Sequence, residues 1–413
     1  MTRLIGGLTL LAAVALAASP AFGSHEALSV LLPGNPLEGS RLFTGKGCLR
    51  CHAVQGVGGT AGPDLGRRAL NRPLLEIAGV MWNHSPGMEH LFQERRIARP
   101  RFEPEEMASL LAFLYYLGSL DSPGDAAAGA RLFRQKGCET CHALGGKGGR
   151  VGPDLDKYSR YASPLHLTAA LWRRGEAMAE VMRERRVPRP TFEGSDIVDL
   201  LAYIRSAGGG TERVYLPPGS PTRGETLFTD KRCGECHSIW GHGGKVGPDL
   251  GLRLRGSLTR IAGTMWNHGP RMWATMAARG IAVPSLTEVE MGDLISYLHF
   301  FQFIDAPGDA RRGVAVYKEK QCGTCHAATG AGKPVAPPLA DVVAKLETPL
   351  EVTTLMWNHA GQMEAKMLEE NVAWPILKGG EMADLIAYLL ANRSDAGPPA
   401  GGPGNAATKE KRR

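Results

Sequence analysis

No cysteine in this 413-residue chain stands alone: all eight lie in four short runs, which leaves none for a disulfide framework elsewhere. Beyond the N-terminal segment no apolar stretch is long enough to span a bilayer, which argues against an internal membrane domain. No βαβ pattern accompanies the cysteine pairs, which argues against a thioredoxin-like redox site. The charge is one-sided only to a small degree, with 48 Lys and Arg against 41 Asp and Glu. Loss of a leader containing Arg3 would lower the formal +7 to +6. Nothing in this balance suggests a nucleic-acid partner.

What is present is a Cys-x-x-Cys-His run, four times over. The runs are Cys48–His52, Cys138–His142, Cys233–His237 and Cys322–His326. This is the attachment signature of c-type haem: two thiols add to the haem vinyl groups and the following imidazole becomes an axial iron ligand. On a helix, cysteines three apart with the histidine next to the second can all face one side of a macrocycle. Structural zinc would favour paired Cys-x-x-Cys halves close together, whereas these runs stand roughly 90 residues apart. A disulfide would need no histidine after each pair. The residues therefore point to four haem c groups, held at Cys48, Cys51, Cys138, Cys141, Cys233, Cys236, Cys322 and Cys325, with His52, His142, His237 and His326 as proximal ligands. Four ferric haems at about −1 each would bring the mature protein near +2.

Residues 1–23 have a basic start at Arg3, an apolar stretch from Leu4 to Ala18 and a small-x-small end at Ala21–Gly23, which reads as a secretory signal. No cysteine follows that end for an acyl anchor. The expectation is a periplasmic or otherwise exported protein, soluble after signal cleavage.

Internal repetition divides the rest into four units. Each opens with a glycine and, four residues later, an aromatic: Gly39/Phe43, Gly129/Phe133, Gly224/Phe228 and Gly313/Tyr317. The haem motif, a glycine-rich loop, a helix with a Trp and Met-rich end and a final apolar helix follow in order. The reading is residues 1–23 signal, 24–120, 121–207, 223–304 and 305–393 as four domains, 208–222 as a linker and 394–413 as a disordered basic tail. A glycine opposite a ring would let first and last helices cross closely. The linkers 121–125 and 305–309 are alike and the one between units 2 and 3 is not, so units 1 with 2 and 3 with 4 are expected to form pairs.

These landmarks resemble the class I cytochrome c fold, an all-α domain wrapped around one haem, repeated over nearly the whole mature chain. The resemblance implies that a proline carbonyl accepts a hydrogen bond from each proximal histidine. The candidates are Pro63, Pro153, Pro248 and Pro337, each 11 residues after its histidine. It also implies that Leu65, Leu155, Leu250 and Leu339 pack on the haem face. Unit 4 departs from the Gly-Pro-Asp-Leu pattern, with Ala336-Pro337-Pro338-Leu339.

The sixth ligand separates a carrier from a catalyst. Met88, Met178, Met272 and Met363 form a column that is methionine in every unit, 35 to 37 residues after the proximal histidine. The next methionine column begins with Phe92, which cannot ligate iron, and so reads as packing. Bis-histidine ligation by His84, His268 and His359 is the rival, and would leave unit 2, which has Arg174 there, as an exception. The constant Trp82, Trp172, Trp266 and Trp357 are expected at the haem edge. His/Met ligation fills both axial positions and raises the potential relative to bis-histidine.

Two functions follow. The first is an exported tetra-haem electron carrier between respiratory redox partner proteins, free or within a membrane complex, with no small-molecule substrate and no catalytic residues. The second is the haem subunit of a redox enzyme of peroxidase or nitrite-reductase type, with an open site at haem 2 where Arg173 and Arg174 replace Asn-His.

Overall fold

The computed structural model describes residues 34–68, 70, 72–118, 120–161, 163–209, 219–253, 256–300, 307–327 and 336–393. The leader, the central part of the 208–222 linker, the start of the linker 305–309 and the tail lie outside the described residues.

The same order of helices recurs four times, with a two-residue hairpin such as Ala53–Val54 with Val57–Gly58 in each of units 1 to 3. Unit 1 contains α1 (Pro36–Gly45), α2 (Leu74–Asn83), α3 (Ser85–Glu94) and α4 (Pro104–Gly118). Unit 2 contains α5 (Ala126–Gln135), α6 (Cys138–Cys141), α7 (Pro164–Glu184) and α8 (Asp196–Ala207). Unit 3 contains α9 (Pro221–Asp230), α10 (Leu250–Arg253), α11 (Leu258–Ala278) and α12 (Glu288–Phe300). Unit 4 contains α13 (Ala310–Glu319), α14 (Leu339–Val343), α15 (Pro349–Glu369) and α16 (Glu381–Ala391). The architecture is all-α.

Helix starts follow from capping chemistry. Asn35, Asp125, Ser220 and Asp309 sit just before the first helices and accept backbone N–H bonds within the first turn. Thr348 and Glu351 form a reciprocal capping box on α15.

In every unit the first helix crosses the last, with the expected glycine at the crossing. A Cβ on Gly39 would run into the Ser109 carbonyl, and one on Gly129, Gly224 or Gly313 into that of Asp199, Asp293 or Asp384. The close approach brings aromatic pairs into contact: Phe43–Phe113 and Phe133–Tyr203 at 5.5 Å, Phe228–Tyr297 at 5.7 Å and Tyr317–Tyr388 at 5.4 Å between centroids. The last helix also reaches back to the first helix's cap: Asp125 N–H bonds Asp199 at 2.7 Å, Ser220 N–H bonds Asp293 at 2.6 Å and Asp309 N–H bonds Asp384 at 2.7 Å.

The units pair otherwise than the linkers suggest. Unit 1 packs on unit 4, through α2 against α16 and through α15 against α2, α3 and α4. Unit 2 packs on unit 3, most broadly through α7 against α11. The two pairs meet where Tyr115 at the end of α4 lies 4.9 Å from the buried His299 ring of α12, and where Asp121 accepts from Thr259 at 2.7 Å. The linker sequence describes the connection and not the docking, so likeness between 121–125 and 305–309 carried no information on which surfaces meet.

Candidate functional site: four haem-motif loops and two seams

The Cys-x-x-Cys-His runs form short helical turns directly after the first helix of each unit. Each turn closes on itself by a bond from the histidine N–H to the first cysteine's carbonyl, 2.9 Å for His52 and His142 and 3.0 Å for His237 and His326. All eight thiols are free. Burial pushes the thiols of Cys48, Cys138, Cys233 and Cys322 up to about 11, the mark of an apolar surround that keeps them neutral.

Each motif histidine is oriented through one nitrogen. Nδ1 of His52 lies 3.1 Å from the Pro63 carbonyl, that of His142 2.9 Å from Pro153, that of His237 3.0 Å from Pro248 and that of His326 3.1 Å from Pro337. A carbonyl can only accept, so Nδ1 carries the proton and Nε2 is the nitrogen left for a metal. Gly62, Gly152 and Gly247 lie flush on the ring, where a Cβ would collide with it. In unit 4 Ala336 stands at that place, and the Tyr317 hydroxyl donates to the His326 carbonyl. Asp64 and Asp249 hold the glycine-rich loops by accepting the N–H of Gln55 and Gly56, and of Trp240 and Gly241, respectively.

The second helical layer separates the methionine columns. Met88, Met178, Met272 and Met363 are half-buried and pack on the apolar core of their units. Met81 and Met356, packed on the same cores, also line the seam between units 1 and 4, and Leu171 and Met265 the seam between units 2 and 3. His84 and His268 are exposed, each with Nδ1 on the carbonyl one turn back, Val80 at 2.7 Å and Thr264 at 2.9 Å. His359 is half-buried, and burial followed by the nearby His326 holds it below its usual range.

The constant tryptophans reach across the seams between units. Trp82 and Met88 are six positions apart and leave the helical layer on different sides. Each indole donates across a seam to a proline carbonyl of the partner unit: Trp82 to Pro375 at 2.8 Å, Trp357 to Pro100 at 2.9 Å, Trp172 to Pro284 at 2.8 Å and Trp266 to Pro190 at 2.7 Å. The next residue repeats the pattern. Asn83 pairs with both backbone groups of Leu377, Asn358 with those of Phe102 and Asn267 with those of Phe192. Unit 2 has Arg173 there, exposed. Before three of the four prolines sits a cover for the indole: Arg99 lies 4.1 Å over Trp357, Arg189 3.7 Å over Trp266, and Trp374 stacks on Trp82 at 4.3 Å. The Trp-Asn pair is thus a docking device, and one signal pointed to it: Trp172 persists in the unit that has lost both the first methionine and the histidine.

A seam-side charge cluster joins units 1 and 4. Arg99 donates to Glu89 at 3.0 Å and to Ser85 at 2.8 Å. Glu364, whose Oε2 is buried without a hydrogen bond, is raised above the usual carboxylate range by burial and by Glu89. At the other seam Arg189 faces Trp266 and Trp273, and burial lowers its guanidinium to about 10.

Among the described residues no helix is long and apolar enough to cross a membrane. The family model for Cytochrome c matches residues 126–208 and 310–393. No curated protein and no solved structure matches the chain. Two such segments in one all-α chain support a multihaem c-type cytochrome with covalently bound haem c and an electron-transfer role.

Proposed function

We propose that this multihaem chain is an exported, periplasmic tetra-haem carrier moving electrons between respiratory redox partner proteins, free or within a membrane complex. The observation that carries it is the fourfold pinning of a motif histidine, Nδ1 on a proline carbonyl, in units that each also carry a half-buried methionine on a later helix. When bound, haem c supplies a one-electron iron couple.

The chain's residues divide the work. The eight cysteines fix four such groups in place, and His52, His142, His237 and His326 present Nε2. Pro63, Pro153, Pro248 and Pro337 set the tautomer and make the imidazole a better donor. Met88, Met178, Met272 and Met363 would supply the second, thioether ligands to the four groups and so keep exogenous ligands out. Met88 and Met272 are favoured over His84 and His268 because they pack on the core while those rings lie exposed. The seams fix the spacing between units, and their order of contact is 4–1–3–2.

Replacement of Met178 by alanine in the holo-protein tests the ligand assignment. One quarter of the sulfur-to-iron charge-transfer band of the ferric protein should disappear and one iron should bind carbon monoxide. An unchanged band would refute Met178 as a ligand. Carbon monoxide binding by the unaltered protein would instead favour the enzyme with an open haem 2.

A further inference from the structure

The two seams treat the same guanidinium in opposite ways. Between units 1 and 4, Arg99 donates from Nε to the Trp357 carbonyl, from Nη1 to Glu89 and from Nη2 to Ser85. Glu364 of unit 4 adds a second negative charge nearby. Each nitrogen of Arg99 has an acceptor, and its charge has a counter-charge.

Between units 2 and 3, Arg189 holds the matching place, over the Trp266 ring and bonded to the Trp266 carbonyl at 2.7 Å. The repeat puts Gly175 where unit 1 has Ser85, Ala179 where it has Glu89, and Trp273 where unit 4 has Glu364. Trp273 fills the space so vacated. A Cβ on Gly175 would come within 2.6 Å of the indole, and the Arg189 guanidinium carbon lies 5.4 Å from its ring centroid. A hydroxyl and two carboxylates have become a hydrogen, a methyl and an indole, whose one polar atom is a donor.

Two donors are left over. Arg189 Nε and Trp273 Nε1 are both buried without a hydrogen-bond partner, and Trp273 is only 5% exposed. Burial lowers the Arg189 guanidinium to about 10, whereas Glu89 and Glu364 work against the same burial at Arg99. A buried N–H without an acceptor and a buried charge without a counter-charge are each unfavourable. A water would accept from either donor but leave the charge unbalanced.

We propose that a small monovalent anion of the halide kind binds between Arg189 and Trp273 and holds the seam between units 2 and 3 closed. One guanidinium balances one negative charge. The apolar walls of Trp266, Trp273 and Gly175 disfavour a divalent anion, because the cost of leaving water grows with the square of the charge. Arg189 is only half-buried, which gives the anion a way in from solvent. The other seam carries its own carboxylates and needs no such ion.

The test reads both seams in one holo-protein. The Phe192 amide crosses to Asn267 at 2.9 Å and the Phe102 amide crosses to Asn358 at 3.0 Å, so hydrogen exchange at each reports the opening of its own seam. Sodium chloride is titrated against sodium gluconate, a bulky anion, at constant ionic strength. At ten times the chloride dissociation constant, exchange at Phe192 should slow roughly ten-fold while Phe102 is unchanged. Trp273→Phe keeps a ring and removes the N–H, and should need more chloride for the same protection. Ala179→Glu supplies the carboxylate that Glu89 provides in unit 1, so Phe192 should be protected without chloride and indifferent to it. Equal slowing at both amides, slowing at neither, an unchanged chloride requirement in Trp273→Phe or an undiminished response in Ala179→Glu would overturn the proposal.

Discussion

Replacing Asn358 with alanine should loosen the seam between units 1 and 4 by an amount set by two hydrogen bonds. The side chain donates to the Phe102 carbonyl at 2.8 Å and accepts from the Phe102 amide at 3.0 Å, both partly buried. Alanine removes both bonds and leaves two backbone groups facing a site too tight for ready hydration. A stranded buried polar group costs about 1–3 kcal/mol, so the pair should cost about 2–4 kcal/mol. At about 1.4 kcal/mol per factor of ten, amide exchange at Phe102 should quicken roughly 30-fold to several hundred-fold if the seam opens locally. Hydrogen exchange followed by mass spectrometry of the peptide containing Phe102 reads this directly. Arg173→Ala is the internal control, because unit 2 holds no such bonds at that position. A change below about threefold for Asn358→Ala, or an equal change for Arg173→Ala, would refute the docking role of this column.

Three further outcomes follow from the same coordinates. Asp384 is held below the ordinary 3.8 first by its hydrogen bonds to Arg312, so its contribution is full above that value and is lost as pH falls through the lower folded one. Acid melts should therefore steepen below about pH 4, and Asp384→Asn should flatten that limb; an unaltered limb would contradict the linkage. Glu364 has the opposite sign: raised by burial and by Glu89, it weakens the seam above its folded value, so Glu364→Gln should raise the thermal midpoint at neutral pH and lose that advantage in acid. A lowered midpoint at neutral pH would count against this. Gly247→Ala should push the His237 ring off its Pro248 carbonyl, because the added Cβ meets the ring. A shifted potential for one cofactor is expected, and an unchanged titration would contradict it.

The sequence made the interior of each unit legible and its surroundings much less so. The glycine and aromatic columns announced the helix crossing because both partners recur at fixed places, and the crossing needs a missing Cβ. The histidine-to-proline offset of 11 residues was readable for the same reason: a short loop leaves little freedom in where the carbonyl lands. Docking of units left no comparable trace. Asn358 and Phe102 lie 256 residues apart, and neither residue type advertises a partner. The seam bonds of Trp82 and its repeats were likewise not legible from proximity along the chain. Six residues on a helix are enough to turn a side chain toward a different neighbour. The resemblance of linkers 121–125 and 305–309 misled for a related reason, since similar connectors permit either pairing and the Trp-Asn-proline contacts choose between them.

A spectroelectrochemical titration of the holo-protein bears most directly on the central claim. The account predicts four electrons taken up reversibly per chain, with every iron low-spin in both oxidation states and none binding carbon monoxide. Fewer than four electrons per chain, or one high-spin iron that takes up carbon monoxide, would contradict it.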